Sequence, residues 1–465
     1  MNKPWRVFLA LAVGAAIAVL LLTATPTLTL VPAPPGPADL GPATGLSAAP
    51  PGAIVFDLKY RAQTGGSDDI EYRSFWGYGG STEETKTNAF LQDVRKKAGT
   101  LHYVYNYPFS GRKWSAVEYR GRRATALYFD LDGDGRLGEN ERLEPTRKSP
   151  QGYEFITPDF INPLDDSQQT LCRALLQVNF YRGSSEPNSM WSPAALLEGT
   201  TIINERPVRL LLYANNPGGR FDRFGSSSYS LLSGERAKIS ADQYVPRERL
   251  SSLIPSDGLP ASGATNQFYR VAIEGRRSNG LPARVVLVKD TSPTGTLAVK
   301  LASSNAVQAA VSSLDLYGLD DQTVFFRIAS SQGKVSLPVG TYSLQNGYAS
   351  YGGKDSREWE VWFSGGPSAT VKAGELCEVA LGQPTMKVRA IEERERYNSG
   401  ATVQTSFKQG TRIYLSPSII GKGHEAFTRF LRRTSASGER PERPPKVTIT
   451  APGGKEVLSA TMEYG

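Results

Sequence analysis

Histidine and cysteine are nearly missing from this chain of 465 residues, with two of each. His102 and His424 lie far apart in sequence, leaving little material for a histidine-based triad or a zinc site. Both read as packing or surface residues. The chain also lacks a Gly-x-Ser-x-Gly elbow, a Walker loop, a dinucleotide fingerprint and a His-Glu-x-x-His pattern, so the familiar motif-borne chemistries have no foothold. Charge of one sign is not segregated. The formal net charge is +8, but basic residues are mixed with acids, as where Glu392, Glu393 and Glu395 interrupt the arginines of residues 389–396. Only residues 112–123 and 432–446 are locally basic, and neither has the base-stacking pattern of a nucleic-acid module, so no nucleic-acid partner is expected. Cys172 and Cys377 permit either one disulfide in an exported chain or two separate thiols.

Helical periodicity is scarce, and long apolar runs are confined to one place. Residues 7–22 are apolar or small without interruption, preceded by Lys3 and Arg6 and followed by no charge until Asp39. With flanking residues included, positions 5–24 reach the length of a membrane helix, and the basic flank would hold the N-terminus in the cytoplasm. Residues 1–25 are thus expected to be a signal anchor, or a cleaved signal peptide, and the remainder to be exported and membrane-anchored or secreted. Residues 26–52, rich in Pro, Ala and Gly, read as an extended spacer.

What remains is built for strands. A hydrophobic content of 39%, with 46 Gly, 31 Pro and 21 Tyr, favours many short strands joined by turns around packed cores. The expected fold is mainly β and multi-domain, in β-sandwich-like modules. A β-rich domain is expected over residues 53–290, a sandwich over 291–382 and a C-terminal β module over 383–465. Strands are expected at 53–60, 101–107, 113–119, 124–129, 267–274, 283–289, 295–301, 323–329, 334–344, 386–391, 411–415, 446–450 and 456–464. A short helix through residues 171–176, capped from Asp165-Asp166-Ser167, is the one helical expectation.

The most informative stretch is Asp130-Leu131-Asp132-Gly133-Asp134-Gly135-Arg136-Leu137-Gly138-Glu139-Asn140-Glu141. Carboxylates at alternate positions of a tightly curled backbone can converge on one hard dication, which wants six to eight oxygens. The same Asp and Gly residues also favour a turn with no metal in it. In register, the stretch resembles the EF-hand calcium loop. The resemblance implies side-chain ligands from Asp130, Asp132 and Asp134, the backbone carbonyl of Arg136, a water at Gly138, and a closing Glu141 that offers both oxygens. It also implies that Leu137 pins the loop to a core. The flanks depart from a full EF-hand. Residues 124–129 read as a strand, and residues 139–143 have room for one helical turn before Pro145. A strand, loop and short-helix site without a partner loop is expected, holding Ca2+ in a structural role.

Three further passages bear on function. Residues 214–222 echo the loop but place Ala214, Asn216 and Gly218 where the carboxylates stand. They are either a repeat that lost its cation or a chance likeness. Pro338-Val339-Gly340-Thr341-Tyr342 resembles the hairpin of transthyretin-like and carboxypeptidase-regulatory-like sandwiches, which implies an inward-packed Tyr and no catalysis. The last segment resembles an immunoglobulin-like accessory module, and the whole resembles, in organisation, bacterial exported proteins of unassigned function. Trp76, Trp114, Trp191, Trp359 and Trp362 are expected to be core, although an exposed Trp362 would favour a sugar-binding face. Asp68-Asp69 and Asp320-Asp321 are carboxylate pairs that turns explain. The primary expectation is a calcium-binding exported protein, more plausibly not an enzyme. The alternatives are a module that binds an envelope glycan or protein, and an envelope hydrolase.

Overall fold

Strand formers alternate with turn residues along most of the chain, and the computed structural model is built almost wholly of antiparallel β-strands. It describes residues 8–9, 42–62, 75–77, 88–98, 100–105, 109, 114–148, 152–165, 168–180, 187–221, 224, 227–233, 248–255, 267–302, 307–328, 334–353, 358–382, 385–392, 406–408, 410–433, 446–450, 453–461 and 463–464. The expected membrane segment at 5–24 and the pair Asp68-Asp69 lie outside these residues, apart from a two-residue strand Phe8–Leu9. Among the described residues no helix is long and apolar enough to cross a membrane. The chain divides into two compact units, one of residues 28–291 with 323–325, the other of the remaining residues.

The first unit contains the acidic loop. Strands Thr100–Tyr105, Trp114–Arg120, Arg123–Phe129 and Arg142–Leu143 form one sheet in that order. Because side chains alternate across a strand, this sheet feeds two different cores. Val104, Val117, Leu127 and Phe129 point into an aromatic core with Phe155, Phe160, Leu176 and Trp191, drawn largely from a second sheet. There Phe109 meets Trp191 edge-on at 5.2 Å between ring centroids, a preferred geometry for rings of opposite edge and face potential. On the other side of the first sheet, Ala116, Ala126 and Tyr128 are covered by Leu91 and Val94 and by Leu137 of the acidic loop. Leu91 and Val94 belong to the helix Ala89–Ala98, whose first turn is capped by Asn88 Oδ1 accepting from the Leu91 N–H at 3.0 Å. That helix was not expected from the sequence.

The helix expected through residues 171–176 is instead parts of two strands, Gln168–Cys172 and Ala174–Asn179. Leucines at 171, 175 and 176 suit a helical face, but distant partners decide the outcome. Thr170 pairs with Asn162, and Leu176 lies between Phe155 and Trp191. Both cysteines are free thiols, Cys172 buried and Cys377 half-buried.

In the second unit, strands Lys334–Pro338, Thr294–Ala302 and Leu376–Gly382 form a small sheet, and Thr294–Ala302 runs parallel to Leu376–Gly382. An eight-stranded sheet holds Val307–Gly318, Gly340–Gly353, Glu358–Ser364 and Ala426–Arg433 among others. Two sheets that each carry buried apolar residues, Leu297 and Leu381 in one and Leu344 and Val361 in the other, give the sandwich-like character expected. The resembled hairpin takes a different form, however. Lys334–Pro338 pairs with Thr294–Ala302, whereas Gly340–Gly353 pairs with Val307–Gly318, so residues 338–340 turn the chain from one sheet into the other. Tyr342 does pack inward, 4% exposed, and its hydroxyl donates to the Pro338 carbonyl at 2.9 Å. Glu358–Ser364 pairs with Ala426–Arg433, so sequence on both sides of residue 382 shares one sheet.

Candidate metal centre

The acidic loop begins where Arg123–Phe129 leaves its sheet. Its other end is held by Arg142–Leu143, which returns to the same strand with Leu127 opposite Leu143 and Tyr128 opposite Arg142. The twelve residues between are therefore clamped at both ends by one antiparallel pair. Two glycines make the curl possible. Gly133 and Gly135 have φ of 80° and 79°, the left-handed region where a side chain is costly. On the exit side a 3-10 turn spans Glu139–Glu141 only. The helical turn expected over 139–143 is thus shorter, because Arg142 and Leu143 are drawn into the sheet.

One carboxylate oxygen each from Asp130, Asp132 and Asp134 lies within 4.8 Å of the others. Two oxygens that each sit about 2.4 Å from one calcium ion can be at most about 4.8 Å apart, so the spacing fits a shared coordination sphere. Without a cation the arrangement is costly. Two unit charges about 5 Å apart repel by roughly 1 kcal/mol in water, the surroundings of the exposed Asp132 and Asp134. Backbone N–H groups offset part of this. Asp130, only 2% exposed, accepts from Gly133 at 2.6 Å and from Gly135 at 3.1 Å. Asp132 accepts from Asp134 N–H at 3.1 Å, and Asp134 from Arg136 N–H at 2.7 Å.

Glu141 is held differently. It is 4% exposed, and its two oxygens accept from Leu131 N–H at 2.7 Å and Gly138 N–H at 3.1 Å, tying the end of the loop to its start. Burial pushes its carboxyl up to about 7 against the pull of those two bonds, and the nearby Asp130 and Asp132 charges push the same way. The three aspartates are brought together; Glu141 lies at the loop's base. Arg136 is exposed. Leu137 is 8% exposed within the core shared with Leu91 and Val94, the pinning contact expected of it. Nothing in the sequence pattern pointed to the backbone donors of Leu131, Gly133 and Gly135; they follow from the curl itself.

The other candidates lie in turns, in packed interiors and, for Trp362, on a partly exposed strand face. In the echo passage, Asn216 Oδ1 accepts from Gly218 N–H at 2.7 Å and Gly219 has φ of 85°. Asn162 and Thr170 donate to the carbonyls of Gly218 and Gly219, which fastens the turn to a hairpin, and among the described residues no acidic cluster forms there. His102 is buried with Ser189 Oγ at 3.5 Å, and His424 is exposed in a turn. Asp320 accepts from the Thr341 N–H at 2.6 Å, a turn contact. Trp191 is fully buried; Trp362 is half-buried beside Tyr348, with the Arg429 guanidinium 4.9 Å above its ring. Comparison with family models, with curated proteins and with solved structures finds no match to this chain.

Proposed function

We propose that residues 130–141 bind one calcium ion, and that the ion's role is to hold the loop and the edge of its sheet in place. The observation that carries this is the gathering of Asp130, Asp132 and Asp134 oxygens within 4.8 Å on a backbone curled by Gly133 and Gly135. Asp130, Asp132, Asp134, the Arg136 carbonyl and Glu141 are the proposed ligands. Calcium would bring a double positive charge to four acidic groups, and Glu141 would exchange its backbone donors for the ion. A single loop with one exposed side suits the weaker affinities of extracellular calcium modules, in keeping with an exported, membrane-anchored or secreted chain. The test is titration calorimetry with calcium on the parent protein and on the Asp130→Ala, Glu141→Gln double variant. One site should appear in the parent and vanish in the variant; a flat parent titration rejects the reading.

A second reading is that the protein binds an envelope glycan. It is favoured by Tyr348, Trp362 and Arg429, which stand opposite one another on three adjacent strands, with Trp362 incompletely buried. Glycan-array binding that Trp362→Ala removes would support it. An array that stays blank would reject it.

A further inference from the structure

The acidic loop and the helix Ala89–Ala98 share one small core. Leu137 and the helix residues Leu91 and Val94 lie over Ala116, Ala126 and Tyr128, with Phe90 edge-on to Tyr128 at 5.5 Å. This core is separate from the aromatic one on the opposite face of the sheet. A ten-residue helix has little stability of its own, since isolated helices of that length are marginal in water. Its residence therefore depends on the apolar wall it meets, and Leu137 supplies part of that wall. Leu137 sits between Asp134 and Glu141, so its position is set by how tightly the loop is curled.

We propose that calcium binding at residues 130–141 is coupled to docking of the helix Ala89–Ala98 through Leu137, so that the ion's presence is read out as order in that helix. The proposal rests on the calcium reading above. Asp130, Asp132 and Asp134 repel one another when no ion is present, and relief of that repulsion by opening the loop would withdraw Leu137 from the shared core. Calcium reverses this. By linkage the coupling must run both ways: the factor by which calcium favours the docked helix is the factor by which the docked helix favours calcium.

Hydrogen exchange read by mass spectrometry, with calcium and with chelator, tests the coupling on the full chain. Calcium should slow exchange in residues 89–98 by about tenfold, within the usual range for coupled sites. It should leave the strand Ala174–Asn179, which belongs to the other core, much less affected. Leu137→Ala should still bind calcium by calorimetry while the helix loses its response. Leu91→Ala should weaken calcium binding several-fold although it touches no ligand; Leu137→Met and Leu91→Met serve in their place if either alanine variant fails to fold. Calcium that binds without changing helix exchange, or that slows both regions equally, overturns the coupling and leaves the metal site standing. A flat calorimetric titration removes the site and the coupling together.

Discussion

Asp130 and Glu141 are both acidic, both almost wholly removed from water, and each accepts from two backbone N–H groups. At Glu141 burial outweighs those two bonds and raises the carboxyl to about 7. A carboxyl whose pKa is raised on folding favours the ion-free fold below its unfolded value, and that contribution is lost as pH rises through about 7. Calcium needs the ionised form. Its affinity is therefore expected to rise with pH through neutrality, with protons released on binding from the acid side. Calorimetry in two buffers of different ionisation enthalpy measures that release directly, and Glu141→Gln should abolish the pH dependence along with much of the affinity. Gly219 is a second position where one atom matters. Its φ of 85° already disfavours a side chain, and a Cβ there would lie 2.3 Å from Cys172 Sγ in a buried corner. Gly219→Ala should cost about 2–4 kcal/mol in urea unfolding, from strain and overpacking together.

Individual strands were legible wherever β-branched and aromatic residues alternate between turn residues. Residues 446–450 and 283–289 form strands within a residue of where their composition puts them, and residues 124–129 read correctly as a strand and not an entering EF-hand helix. Two elements were misread for one physical reason. Residues 171–176 carry leucines that suit either period, and their strand partners lie elsewhere in the chain, at Asn162 and Trp191. Residues 89–98 carry only Phe90, Leu91 and Val94 on a face otherwise interrupted by charge, and their reason to be helical is a patch of sheet supplied by residues 116, 126 and 128. The corner at residues 338–340 shows the same dependence. Pro338 and Gly340 announce a turn, but only pairing reveals that it joins two sheets. Tyr342 fastens that corner by its bond to Pro338 O, so Tyr342→Phe should lose about 1 kcal/mol, visible as a lower urea midpoint with an unchanged slope.

At the scale of the whole molecule, the division into two compact units makes the calcium proposal separable from general stabilisation. The acidic loop belongs to the unit of residues 28–291, and the larger part of the sandwich-like sheets belongs to the other. An ion that binds only the folded loop stabilises its own unit by mass action, by about 1.4 kcal/mol when free calcium is about ten times the dissociation constant. For a unit of a few hundred residues that raises Tm by roughly 3–6 °C. Scanning calorimetry of the full chain should then show one transition moving with calcium while the other stays, and the Asp130→Ala, Glu141→Gln double variant should show neither moving. Two transitions that move together would mean that the ion acts on both units, as a cation screening acidic surface would. Magnesium at equal ionic strength separates those cases, because a small ion that demands octahedral geometry and gives up its water reluctantly should shift the first transition far less than calcium does.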